Sequence, residues 1–288
     1  MIRIGTCGFS FRDWKGTAYP SNLPGRDMLR YYEKNLGLDT VEIDASFYAI
    51  PSAKTVQGWA ERTGKDFRFA VKCHKGMTLN DRRPVTPPEV KSSPVFRQFR
   101  EAFAPMVESG KLLSILAQFG PVFFKNRVNR DYILEFRQYF KDVPLTVEFR
   151  HKSWLVGDEC KETLQFLREN SLGYAAVDEP VAGSLPPLIP AVTAEPAYLR
   201  LHGRSRHWFG ENSHLRYDYL YSDSELEEFI PIVRSFESSA AVTAVFFNNC
   251  HAGAAVRNAL ALRQMLGLNK GRETPDTPQQ MELPMSIT

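Results

Sequence analysis

Short runs of β-branched and aromatic residues alternate along this chain with stretches whose apolar positions recur every three or four residues. The extended runs fall at 2–8 (IRIGTCG), 40–46 (TVEIDAS), 67–74 (FRFAVKCH) and 113–119 (LSILAQF). Four more follow at 144–150 (PLTVEFR), 173–178 (GYAAVD), 196–202 (PAYLRLH) and 242–249 (VTAVFFNN). Each has the length and residue types of a buried strand. Most of the gaps carry a helical pattern. Met28, Leu29, Tyr32 and Leu36 share one helical face, and Ser52 is placed to cap a stretch containing Val56, Trp59 and Ala60. Ser93-Pro94 opens a helix with Phe96, Phe99 and Phe103 inward, which Pro105 is expected to kink near its end. Ile133, Phe136 and Phe140 mark the next helix, followed by Leu164 and Leu167. Ser222 and Glu225 form a capping box ahead of Leu226, Phe229, Ile230 and Val233. Ala255, Val256, Ala259, Leu262 and Leu266 mark the last. Pro180–Pro196 is proline-rich and reads as a long loop.

Strands separated by helices imply parallel pairing with right-handed crossovers. Eight such units over residues 1–267 predict an α/β fold, a single closed (β/α)8 TIM-type barrel. The alternative, an open doubly wound sheet, lacks its GxGxxG in the first strand-to-helix turn. Residues 268–288 are polar, with Pro275, Pro278 and Pro284, and are expected to form a disordered tail.

Composition changes this picture little. The 288 residues are 43% hydrophobic and 24% charged, the ordinary proportions of a globular chain. No apolar run approaches the ~18 residues of a membrane span, and the first residues start directly with strand sequence rather than a signal peptide. A cytoplasmic location with no membrane partner is the expectation. The four cysteines, Cys7, Cys73, Cys160 and Cys250, are scattered, with no CxxC pair to suggest a zinc site. A net charge of +3 neither demands nor excludes nucleic acid.

The informative feature is polar residues at the ends of otherwise apolar strands, where barrels carry their catalytic groups. Those ends supply Glu42 and Asp44, Lys72 and His74, Gln118, and Glu148, Arg150 and His151. The later strands add Asp178, Arg200 and His202, then Asn248, Asn249 and His251. Residues two apart on a strand share a face, so Glu148 with Arg150 and Arg200 with His202 point together. One such pair alone reads as an internal ion pair; polar groups on seven strands, all at one end, read as a site. The segment 202–221 adds Arg204, Arg206, His207, Trp208, Arg216, Tyr217, Tyr219 and Tyr221, the makings of a flap that stacks on a ring and holds an anion. The glycine-rich 5–10 segment offers backbone N–H groups.

Several segments together resemble the YecE-like family, a domain of unknown function. They are GTCGFSFRDWKGTAYP (5–20), TVEIDASFYAIP (40–51), FRFAVK (67–72), VEFRHKSW (147–154), VDEP (177–180), YLRLHGR (198–204) and FFNNCHAGAAVRNA (246–259). The resemblance implies a TIM-type barrel and no settled reaction. Two departures stand out: Leu79 follows Thr78 where the family usually has a histidine, and Gln118-Phe119-Gly120-Pro121 replaces its Gln-Leu-Pro-Pro. His74 is then the residue that would have to serve instead.

From the residues themselves, the leading expectation is a hydrolase acting on a phosphate-bearing substrate, a nucleotide or nucleic acid. Glu148, Asp178 and His202 are its candidate catalytic groups. Glu42, Lys72, Gln118, Arg150, Arg200, Arg204, Asn248 and Asn249 are its candidate substrate contacts, with arginine suited to bidentate phosphate geometry. A metal-dependent nuclease or isomerase barrel is one alternative, since His74, His151, His202 and His251 stand beside carboxylates. No HxH or HExxH spacing supports it, and the interspersed Lys and Arg would repel a cation, so no metal or cofactor is expected. A non-catalytic module binding an anion or nucleic acid in the same pocket is the other.

Overall fold

A computed structural model describes residues 1–78, 89–180, 182–209 and 215–268. The eight apolar runs form eight strands, β1 (Ile2–Cys7), β2 (Thr40–Ile43), β3 (Arg68–Lys72), β4 (Leu112–Phe119), β5 (Leu145–Phe149), β6 (Gly173–Asp178), β7 (Ala197–Leu201) and β8 (Thr243–Phe247). They pair in sequence order, all parallel, and β1 pairs with β8 to close the barrel. Burial on both faces explains why these strands read as continuous apolar runs rather than alternating ones.

Seven α-helices fill the crossovers among the described residues: α1 (Met28–Lys34), α2 (Ala53–Glu61), α3 (Pro94–Glu108), α4 (Arg127–Tyr139), α5 (Asp158–Glu169), α6 (Asp223–Ser239) and α7 (Ala254–Met265). Their apolar faces pack outside the strands in one continuous core. The connection from β6 to β7 has no helix among its described residues, in keeping with its prolines. Two details differ from the periodicity. Helix α1 ends at Lys34, leaving Leu36 beyond it, and Pro105 lies inside α3, which runs on to Glu108. Proline removes only one donor so close to a helix end, and Ser109 N still reaches Pro105 O at 3.1 Å. Leu79 and residues 269–288, read above as a family departure and a tail, lie outside the described residues.

Two tryptophans set the mouth of the barrel. Trp154 is fully buried, stacks on Phe149 (4.4 Å between ring centroids) and on Phe123 (5.8 Å), and donates its indole N–H to Phe123 O at 2.7 Å. It thereby ties the turn after β5 to the turn after β4. Trp14 does the same at the seam where the barrel closes. Its N–H donates to Cys250 O at 2.6 Å, and Ala252 N donates to Asp13 at 2.7 Å, so the loop after β1 is fastened to the turn after β8. Rings of this size bury about 150–250 Å² each, enough to hold strand ends in fixed positions.

Glycine is needed at two points near the mouth. A Cβ on Gly5 would fall 2.1 Å from Thr40 O, so β1 and β2 approach closely only because none is there. Gly203, at φ +90°, turns the chain directly after His202 and would otherwise strike Tyr219.

The predicted capping box is present, with Ser222 Oγ accepting from Glu225 N and Glu225 reaching back to Ser222 N at 2.8 Å. Ser222→Ala is expected to cost about 1 kcal/mol, a fall in melting temperature of about 2–4 °C, with the circular-dichroism spectrum unchanged. A shift under half a degree would show that α6 is held by its packing alone.

Candidate functional site

Which strand-end residues face the barrel axis follows from register. Cys7 pairs with Glu42, Gln118 with Glu148, and Arg200 with both Val177 and Phe246. Partners in a parallel ladder share a face, so the axial layer near the mouth collects Cys7, Glu42, Gln118, Glu148, Arg150, Arg200 and His202. Glu179 follows Val177 by two and joins them.

Arg200 sits at the centre of this layer with no exposure to solvent. Its Nη2 donates to Glu42 Oε1 at 2.5 Å, its Nε to Glu42 Oε2 at 3.1 Å, and its Nη1 to Glu148 Oε2 at 2.6 Å. The other Glu148 oxygen accepts from Arg150 Nε at 2.5 Å, and Arg150 Nη1 pairs with Glu179. Gln118 Oε1 lies between the two guanidiniums, 3.3 Å from Arg200 and 3.4 Å from Arg150. Tyr198, one layer below, donates its hydroxyl to Glu42 at 2.6 Å. His202 Nε2 accepts from Arg150 Nη2 at 2.9 Å and from Arg200 Nη1 at 3.2 Å. On the other side of the ring, His202 Nδ1 lies 2.7 Å from Asn248 Nδ2. Trp208 and Tyr217 close over the group: Trp208 lies 6.0 Å from both the Arg150 guanidinium and the His202 ring.

Burial and charge set opposite protonation states within this one layer. Burial works against the charged form of Glu148, but Arg150 and Arg200 outweigh it and hold its carboxyl well below the usual range. Glu42 shares Arg200 yet is pushed up to about 7, by burial first and by its neighbour Asp44. Glu179 is also raised to about 7, by burial, with Arg150 offsetting it only in part. Burial would raise Asp44 as well, but Lys72 and Arg200 hold it below its ordinary value. His202 is driven well below the imidazole range by burial and then by the two guanidiniums, so it is neutral.

Exposure across this assembly is uneven. The side chains of Glu42, Glu148, Glu179 and Arg200 are 0% exposed, whereas Asp44 is 23% and Lys72 10% exposed. The Lys72 ammonium is 4.0 Å from Asp44 and 4.6 Å from the centre of the Phe47 ring, and it makes no hydrogen bond among the described residues.

Three residues expected at the site stand apart from it. Asp178 is in register with Leu201, on the outward face. It accepts two bonds from Arg204 Nε and one from Nη2, at 3.0–3.2 Å, and one from Tyr221 at 2.6 Å. Arg204 is thereby committed to Asp178 and to Glu228, so this pair braces the β7 end against α6. Asn249 also faces outward, donating to Tyr219 O and to Asn258 at 2.8 Å. In the 5–10 segment, Thr6 N donates to the Tyr32 hydroxyl and Gly8 N to Glu42 O. Glu179 and Tyr198 were missed by the sequence reading.

The ligand types of a metal centre are not gathered either. His74 accepts from Gly76 N, His151 meets Ser153, and His251 pairs with Asp218 at 3.0 Å. Among the described residues Cys7, Glu42 and Asp44 do bring ligand atoms within 4.8 Å of one another. The Arg200 guanidinium fills that space, 2.5 Å from Glu42 and 3.5 Å from both Cys7 Sγ and Asp44, so a cation there would have to displace one already present.

The two carboxylates on Arg200 are expected to respond oppositely to neutralisation. Glu148→Gln leaves two buried guanidiniums short of one charge, and breaking such a pair costs about 3–5 kcal/mol, so the melting temperature falls clearly at pH 7. For Glu42 the folded value lies above the unfolded one. The folded chain therefore binds the extra proton between the ordinary carboxyl range and about 7, and stability is lost as pH rises through that window. Glu42→Gln mimics the protonated acid. It should melt with the parent at about pH 5 and at or above it at about pH 8. Calorimetry at the two pH values checks both, and equal destabilisation by the two variants would contradict the assignment.

Comparison with known proteins follows the same geometry. The family model described as protein of unknown function DUF72 matches residues 3–282. The UPF0759 protein YunF of Bacillus subtilis is 31% identical over 291 residues, covering 98% of this chain and all of that one. The crystal structure of a DUF72 family protein from Thermotoga maritima superposes with a TM-score of 0.79 at 36% identity, over 93% of this chain and 99% of that one. One from Enterococcus faecalis gives 0.80 at 30% identity, over 93% and 96%. With a matching barrel, a family model spanning nearly the whole sequence and relatives matched end to end, this chain belongs to the DUF72 family.

Proposed function

We propose that this protein is a hydrolase acting on a phosphate-bearing substrate, a nucleotide or nucleic acid, at the carboxyl ends of the barrel strands. The observation that carries the reading is the pair at the open side of the mouth. Lys72 presents an ammonium free of hydrogen bonds among the described residues, beside Asp44, whose Oδ1 is buried without a hydrogen-bond donor. An anionic group drawn to Lys72 would stand over Asp44 and Gln118. Arg150 and Arg200 are filled by Glu42, Glu148 and Glu179, so their part is to fix the floor rather than to grip the phosphate.

The same geometry supports a division of labour among the carboxylates. Glu148 gives both oxygens to arginine and has no route to solvent, which suits an anchor better than a base. Asp44 and Glu42 lie together with their proton held up to about pH 7, the arrangement of two carboxylates sharing one proton. In hydrolysis the water oxygen bonds to phosphorus while the ester P–O bond breaks. Asp44, the carboxylate of the pair with access to solvent, takes the water's proton and passes it on to the departing oxygen. His202, neutral and already an acceptor for two arginines, holds those arginines in place.

Release of nitrophenolate from p-nitrophenyl phosphate and its bis ester tests this reading. Asp44→Asn is expected to lower kcat by about 10²–10⁴-fold, and Lys72→Met to raise KM. Asp44→Asn activity equal to the parent would remove the carboxylate from the reaction. Affinity for these esters without turnover by the parent would make the protein a binding module instead.

A further inference from the structure

All three aromatic side chains that stand exposed among the described residues lie on loops at the carboxyl ends of the strands: Tyr48 after β2 (73%), Phe124 after β4 (48%) and Phe209 after β7 (56%). The opposite end of the barrel shows none. Exposed rings on one face mark a surface that meets a partner, and these three come from separate sides of the mouth. Phe124 sits edge-on to His151, at 6.3 Å between ring centroids, and Tyr48 edge-on to Phe47 at 5.1 Å. Phe47 is the ring beneath the Lys72 ammonium, so the platform at Tyr48 is continuous with the open side of the site.

Cations are set between the rings. Arg12 and Lys15 after β1, Lys75 after β3 and Arg206 after β7 are all exposed, and none has a carboxylate partner among the described residues. Some acidic groups on the same face are committed, while Glu89 and Asp158 are exposed with no cation partner among the described residues. Asp13 is bound to Ala252 N, Asp218 to His251, and Glu159 to Lys125. The rim therefore carries exposed rings with unpaired cations between them, around a polar floor.

We infer that the substrate of this mouth is a single-stranded nucleic acid, whose unpaired bases stack on Tyr48, Phe124 and Phe209 while its backbone phosphates follow the rim cations to Lys72. The inference rests on the phosphate-ester reading given above and narrows it. Charge complementarity favours a polyanion over a neutral or basic peptide. Separate exposed rings favour unpaired bases, because a duplex hides its base faces in the stack while a single strand offers them. A free nucleotide would use one ring at most and leave the other two without a purpose.

Fluorescence anisotropy with a labelled mixed-sequence DNA strand of about 16 nucleotides, within the span one such surface covers, provides the test. The same sequence as RNA, as duplex DNA and as mononucleotides supplies the comparisons. The single strands are expected to bind more tightly than duplex or mononucleotide, with affinity falling as salt rises. Tyr48→Ala, Phe124→Ala and Phe209→Ala should each weaken single-strand binding roughly 5- to 100-fold, the range of one lost base stack. Val107→Ala, an exposed apolar change on α3 away from the mouth, should leave it unaltered. Equal affinity for mononucleotide and strand, or strand binding indifferent to all three ring changes, overturns the inference. Binding to anionic phosphatidylserine vesicles that is lost with the rings, in place of strand binding, would assign the rim to a membrane surface and overturn it too.

The two readings fail separately. Ring-dependent strand binding in a protein that hydrolyses neither nitrophenyl ester keeps the rim and discards the hydrolase. Hydrolysis of those esters that depends on Asp44, with no strand binding, does the reverse.

Discussion

A guanidinium with no solvent contact, at the centre of a barrel, can exist only if its charge is met on the spot. Arg200 meets it with Glu42 from β2 and Glu148 from β5, strands on different sides of the barrel. An isolated buried ion costs several kcal/mol after relaxation, so the arrangement stands only when β2, β5 and β7 are in register together. The partners lie 158 and 52 residues away along the chain, and barrel closure is what brings them in. Such a centre favours one register over its neighbours, because a slip of a single residue would turn Arg200 out and leave two carboxylates facing each other. Arg150 extends the same logic to Glu179, so one chain of alternating charges runs across the mouth from β2 to the residue after β6.

The fold was legible because a fully buried parallel strand announces itself. Each of the eight apolar runs became a strand, and the proline-rich stretch after β6 has no helix among its described residues. Much of the site was legible for a related reason. Glu148, Arg150, Arg200 and His202 are charged residues and a histidine in strands that otherwise carry no charge, and their spacing of two put them on one face. What the sequence hid was phase. In GYAAVDEP the neighbouring alanines, Ala175 and Ala176, are small enough for either face, so nothing distinguished Asp178 from Glu179. The pairing of Val177 with Arg200 decides for Glu179. Asn248 and Asn249 posed the same problem, solved by the pairing of Phe246 with Arg200. Glu148 was visible as a site residue beside Arg150, but whether its second oxygen faced a ligand or another arginine depended on Arg200, 52 residues away, which only the barrel brings in.

The motifs that carry the family resemblance divide along physical lines. In VEFRHKSW, Glu148 and Arg150 belong to the charged floor, while Trp154 fastens the turn after β5 to Phe123. In GTCGFSFRDWKGTAYP, Gly5 admits β2 and Trp14 closes the seam through Cys250 O. Residues of the second kind keep those of the first kind at bond length, which is why they occur in the same short segments.

Burial also separates what holds the site from what meets a ligand. Charges that are saturated and sealed, such as Arg200 and Glu148, contribute fixed geometry and a field, and their protonation is locked well away from neutrality. Groups with an unused hydrogen-bonding atom and some access to water, Asp44 and Lys72, are the ones a ligand can still satisfy. Glu42 stands between these classes: it is sealed like the first, but burial pushes its carboxyl up to about 7, Arg200 offsets that only in part and Asp44 adds to it. A layer that forces one carboxylate down and its neighbour up around a single arginine therefore holds opposite protonation tendencies side by side. Both tendencies have the same origin, the burial of several carboxylates around shared guanidiniums.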